Sequence, residues 1–93
     1  MNKEDEREAL RAALESADGK AYDLFREAVA LAKLTAAARA ARSLAIDVGD
    51  PAKIEAAREE VATRWRASLA AGEAWTAAEE VARDIAAKLG RLD

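Results

Sequence analysis

The sequence predicts an all-α fold of four antiparallel helices arranged as two αα-hairpins. Three observations carry this. First, 27 of the 93 residues are Ala, the strongest helix former, and charged residues make up 35%. Second, apolar residues recur at three- and four-residue steps, and no segment alternates with period two. Third, glycines punctuate the chain at Gly19, Gly49, Gly72 and Gly90, where a helix ending in a left-handed residue would place them. One domain, residues 1–93, is the expected content.

The first helix runs from about Lys3 to Ala17, with Asn2 as N-cap. Its apolar stripe consists only of Leu10, Ala13, Leu14 and Ala17. The second runs from about Lys20 to Asp47. Gly49-Asp50-Pro51 then reads as a helix stop, an N-cap and a first-turn proline in succession. The third runs from about Pro51 to Ala71, with Ile54, Ala57, Val61, Trp65 and Leu69 on one stripe. The fourth runs from about Glu73 to Leu89, although Thr76-Ala77-Ala78-Glu79 fits a capping box that would delay its start. Its stripe is Ala78, Ala82, Ile85 and Leu89, joined by Trp75 and Val81. Gly19-Lys20-Ala21-Tyr22 and Gly72-Glu73-Ala74-Trp75 form a faint internal repeat, each opening a helix with an aromatic in its first turn.

Composition excludes much chemistry. No Cys or His is present, so thiolate zinc sites, disulfides, imidazole–metal sites and Ser-His-Asp triads are absent. Adjacent carboxylates such as Glu59-Glu60 and Glu79-Glu80 do not face each other on a helix. Lys33 falls on the polar side of its helix, and no Gly-rich phosphate loop occurs. The expectation is a protein without catalytic residues, metal or cofactor. A net charge of −3 argues against general nucleic-acid binding. No apolar run is long enough to cross a membrane, and the acidic N-terminal segment lacks a signal-peptide pattern. A soluble, cytoplasm-compatible chain is expected.

The second predicted helix is the informative one. At 1.5 Å per residue it spans roughly 40 Å, and its apolar face changes direction. Leu24, Ala28, Leu31 and Thr35 share one stripe, which Arg39 and Arg42 take over beyond it. Leu34, Ala37, Ala41, Leu44 and Val48 build a second stripe roughly opposite. Sequential packing explains the turn if the first half covers helix one and the second half covers helices three and four. A functional reading makes the second stripe a contact surface, where small residues let a partner helix approach and arginines at the rim pair with its carboxylates. The partner is then a second copy or a separate protein or peptide target. The alternative is a cavity for a small anionic or aromatic ligand. Tyr22, Trp65 and Trp75 form its walls, and Thr35, Arg39, Arg42 and Arg58 form its polar anchors.

The chain resembles de novo designed helical bundles. The resemblance rests on idealised Ala/Glu/Arg-rich helices, on charge lacing such as Glu4–Glu8–Arg11 and Glu79–Arg83, and on the connection running from Gly49 through Arg58. It covers the whole chain, transfers no functional residues, and implies a function specified as binding or assembly.

Overall fold

The structure is a computed structural model that describes residues 2–93. It contains two helices, α1 (Lys3–Val48) and α2 (Pro51–Leu92), folded into one antiparallel hairpin. The hairpin is a rod of 70 × 15 × 13 Å. Its length is that of α1 alone, since 46 residues rise about 69 Å. The four-helix, two-hairpin arrangement is therefore corrected to a single extended hairpin.

The predicted ends that hold are those with a capping side chain or a left-handed residue. Asn2 accepts a hydrogen bond from the Asp5 backbone N–H at 2.9 Å, and Glu4, Asp5 and Glu6 follow in the first turn, where the helix dipole favours carboxylates. Gly49 closes α1 with φ 79°, and its N–H donates to the Ala45 carbonyl at 3.0 Å. The Asp50 carboxylate then accepts from the Ala52 N–H at 3.0 Å, and Pro51 starts α2. One residue in the left-handed region and one N-cap thus reverse the chain.

Gly19 and Gly72 do not end helices. Among the described residues, Gly49 alone has a positive φ. Helix runs through Gly19 and Gly72, and through Thr76, whose hydroxyl instead donates to the Gly72 carbonyl at 3.0 Å. It also runs past Gly90 to Leu92. A mid-helix glycine costs only about 0.5–1 kcal/mol relative to Ala. Breaking the helix would cost the whole seam its phase. A Cβ placed on Gly19 meets nothing within 4 Å. Gly19→Ala is accordingly expected to stabilise the chain by about 0.5–1 kcal/mol, raising the thermal midpoint by several degrees in a circular-dichroism melt. A fall in the midpoint would indicate that Gly19 adopts a conformation forbidden to Ala.

The core is a seam with a heptad period. Every α1 position that is not exposed falls at alternating steps of three and four residues, from Arg7, Leu10 and Leu14 onward to Ala38, Arg42 and Ala45. The same steps on α2 run from Ile54, Ala57 and Val61 to Ile85, Leu89 and Leu92. This is the 3.5-residue repeat of an antiparallel two-stranded coiled coil. Pairing the seams layer by layer sets Arg7 level with Leu92, Leu24 with Trp75, and Ala45 with Ile54. Two contacts fix that register. The Arg7 guanidinium donates to the Leu92 carbonyl at 3.1 Å and to the Asp93 carboxylate at 3.0 Å. Phe25 lies against Trp75 with ring centroids 5.0 Å apart.

The period also corrects individual stripes. The seam through Leu24, Ala28, Leu31 and Thr35 does not turn aside. It continues through Ala38, Arg42 and Ala45, so the second half of the predicted second helix packs on the same side as the first. On α2 the seam passes from Val61 to Arg64 and Ser68, which leaves Trp65 and Leu69 one position outside it and exposed. Repeated four-residue steps drift around a helix whose partner requires 3.5.

Candidate interaction surfaces

The two ends of the rod are built differently. Toward the free termini the seam holds large side chains, namely Leu10, Leu14, Leu24, Trp75, Ile85 and Leu89, interleaved with Ala17, Ala21, Ala78 and Ala82. Toward the turn the seam keeps Ile54 and Val61 but also holds Thr35, Ala38, Arg42, Ala45, Ala57, Arg64 and Ser68, which are small or polar. Most large apolar side chains of this half sit outside, among them Leu34, Leu44, Ile46, Val48, Trp65 and Leu69. They occupy two flanks of the rod, on either side of the seam.

The aliphatic flank carries the predicted contact stripe. Leu34, Ala37, Ala41, Leu44 and Val48 step by three and four residues, so they form a second heptad line parallel to the seam. All five are exposed, with Leu34 at 44%, Leu44 at 67% and Val48 at 70% of full accessibility. α2 is packed on the seam, not on this line. Further toward the free ends the flank continues as a shallow groove of about 410 Å³ between the helices, bounded by Lys20, Leu24, Ala77 and Val81.

The opposite, aromatic flank holds Tyr22, Phe25, Trp65 and Leu69. Tyr22 and Trp75 line an open groove of about 550 Å³ together with Phe25, Asp18 and Glu79. The other residues predicted for a ligand cavity lie apart from it. Thr35 is buried in the seam, where its hydroxyl donates to the Leu31 carbonyl at 3.0 Å and is satisfied within its own helix. Arg42 lies in the seam nearer the turn. Arg39 is exposed and stacks on the face of Trp65, its guanidinium carbon 5.1 Å from the ring centroid. Arg58 is exposed on the same flank, outside the seam that runs through Ile54 and Val61. The seven residues therefore do not converge on one cavity.

Sequence reasoning passed over Asp18, Phe25, Leu69, Gly72 and Glu79 on the aromatic flank. Once a 3.5-residue period is imposed from Leu10 onward, Asp18 and Phe25 fall beside the seam on α1, and Gly72 and Glu79 fall beside it on α2. That period was the available signal.

Fold and surface together define an antiparallel coiled-coil hairpin with apolar flanks near its turn. No family model matches the chain, and no significant match arises among curated proteins or solved structures. Among the described residues no helix is long and apolar enough to cross a membrane.

Proposed function

We propose that this chain is a non-catalytic assembly module, of the designed-bundle type its sequence resembles, that joins other helices through the aliphatic flank. The observation that supports the reading is the exposed heptad line Leu34, Ala37, Ala41, Leu44 and Val48. A helix that has already filled one seam gains nothing from a second line in heptad register unless another helix packs there. Leu34 and Val48 at the ends and Ala41 at the centre suit close approach of a crossing helix. The rest of the chain is consistent with this use. Its core near the turn is thin, and packing on the flank would add apolar burial where the seam supplies least.

A second copy of the chain is the simplest partner. The line is nearly symmetric about Ala41, so an antiparallel copy sets Leu34 against Val48, and Ala37 against Leu44. The test is Ala37→Glu with Ala41→Glu, followed by light scattering on a size-exclusion column. The wild-type chain is expected at a mass above the single-chain 9.9 kDa. The double variant should show a lower mass than the wild type, because buried like charges weaken contact through this flank at least about tenfold, with its helical signal unchanged. A double variant with the wild-type mass would exclude this flank as the contact.

A further inference from the structure

The aromatic flank carries a pattern that the assembly reading does not use. On α1, the positions beside the seam on this flank run from Arg11 to Ile46 at seven-residue intervals, with Asp18, Phe25, Ala32 and Arg39 between them. On α2 they run from Pro51 to Ala86, with Arg58, Trp65, Gly72 and Glu79 between them. The middle four positions of each helix thus present a charge, a large aromatic, a small residue and the opposite charge. Within one hairpin, Asp18 and Glu79 share one groove near the free ends with Arg83, and Arg39 and Arg58 share the flank nearer the turn with Glu55. The ion pairs among the described residues are Glu4–Arg7, Arg7–Asp93 and Glu60–Arg64, which leaves Asp18, Arg39, Arg58 and Glu79 out.

We infer that this flank is the interface of a homodimer whose two-fold axis crosses the rods at right angles, midway between Asp18 and Arg39. Such an axis lays α1 antiparallel on α1 of the second copy, and α2 on its α2. Asp18 then meets Arg39 of the second copy, and Phe25 meets Ala32. On the other helix Glu79 meets Arg58, and Trp65 meets Gly72. All four of these charges find an opposite, and Phe25 and Trp65 each find a residue small enough to receive the ring. The midpoint on α1 falls at residues 28 and 29, and that on α2 at 68 and 69. The seam register places these levels within about 3 Å of each other along the rod. One axis therefore serves both helices.

One step further out, Glu55 and Arg83 face each other across Leu69, half a residue from that centre. The only other two-fold that stacks these flanks runs along the rod. It would set Asp18 on Glu79 and Arg39 on Arg58, so the charges select the crossing axis. From Glu55 to Arg83 the contact covers about 42 Å of helix on a body 15 Å wide. That is about 600 Å² per copy, at the lower bound of ~1,200 Å² in total for specific interfaces.

The inference rests on the assembly reading only in taking the chain to be a module that self-associates, and it concerns the opposite flank. The experiment uses two charge-reversed forms, Asp18→Arg with Glu79→Arg, and Arg39→Glu with Arg58→Glu. These are surface positions, and circular dichroism checks that each form stays helical. Light scattering is run on an Ala37→Glu/Ala41→Glu background, which isolates the aromatic flank. That background chain is expected to be a dimer. Each charge-reversed form alone should bind itself more than about tenfold more weakly. Mixed one to one, the two forms should regain the mass of two chains, because every reversed group then faces its opposite. Three results would overturn the inference: a monomeric background chain at about 100 µM, reversed forms that dimerise as tightly as their parent, or a mixture that stays monomeric. If the background chain is monomeric while the unmutated chain associates, the dimer runs through the aliphatic flank. The proposed function then stands without this inference.

Discussion

Replacing Trp75 with Ala is expected to lower the thermal midpoint by at least about 10 °C. Trp75 is the largest side chain in the seam. It is half-buried, level with Leu24, and holds Phe25 at 5.0 Å between ring centroids. A fully buried tryptophan costs about 3–5 kcal/mol on truncation to Ala. Partial exposure here reduces the loss to about 2–3 kcal/mol. A chain of this size shifts its midpoint by about 4–8 °C per kcal/mol. The neighbouring layers cannot absorb the loss, because Ala21, Ala71, Ala78 and Ala82 already fill the buried positions around it. Trp65→Ala is the matched control. That ring is 45% exposed beside the seam, so on a chain held monomeric its removal should cost less than half as much. Equal losses at the two tryptophans would mean that the seam does not run through position 75.

The largest gain is expected from Arg42→Leu combined with Arg64→Leu. Both arginines occupy seam positions in the half of the rod nearer the turn. Each extends along the apolar contact with its stem while its guanidinium keeps access to water. Leucine there would bury apolar surface at about 25 cal/mol per Å², a gain of roughly 1 kcal/mol per site. The loss on the other side is small. Arg64 pairs with Glu60 at 2.7 Å, four residues away on an exposed helix face, which is worth about 0.3–0.5 kcal/mol. The double variant should raise the thermal midpoint by about 5–10 °C, and hydrogen exchange near the turn should slow. Arg39→Leu, on the flank, should give no such gain in the monomer. If all three substitutions acted alike, the distinction between seam and flank near the turn would be lost.

These two sites also show what could be read in advance. Helical class, the entry at Asn2 and the turn at Gly49-Asp50-Pro51 were legible, because each depends on a few adjacent residues: an N-cap side chain, a left-handed glycine, a proline that needs no N–H partner. The stripe Leu34, Ala37, Ala41, Leu44 and Val48 was legible too, since its spacing is set by the helix itself. The number of helices was not. Gly19 and Gly72 carry the same residue type as Gly49. A glycine ends a helix only when the chain beyond it has somewhere better to go, and here the seam continues on both sides.

The destination of each stripe was equally out of reach. Trp65 and Leu69 follow Val61 at four-residue steps, and Arg64 and Ser68 lie one position away. An isolated helix gives no reason to bury a serine and an arginine before a tryptophan and a leucine. The partner helix does. Two rods in contact over 70 Å must keep to a 3.5-residue repeat, and that repeat, begun by Leu10, Leu14, Ile85 and Leu89, carries the polar residues inward and the aromatic ones out.

The sequence by itself determined that this protein is helical, that one reversal falls at Gly49-Asp50-Pro51, and that no Cys or His is available to it. Tertiary structure alone determined that two helices form rather than four, and which apolar residues are left uncovered. The physical reason is one of range. Caps and turns are settled by hydrogen bonds within a few residues. The division of apolar side chains between a core and a surface is settled by the phase of a contact that runs the length of the molecule.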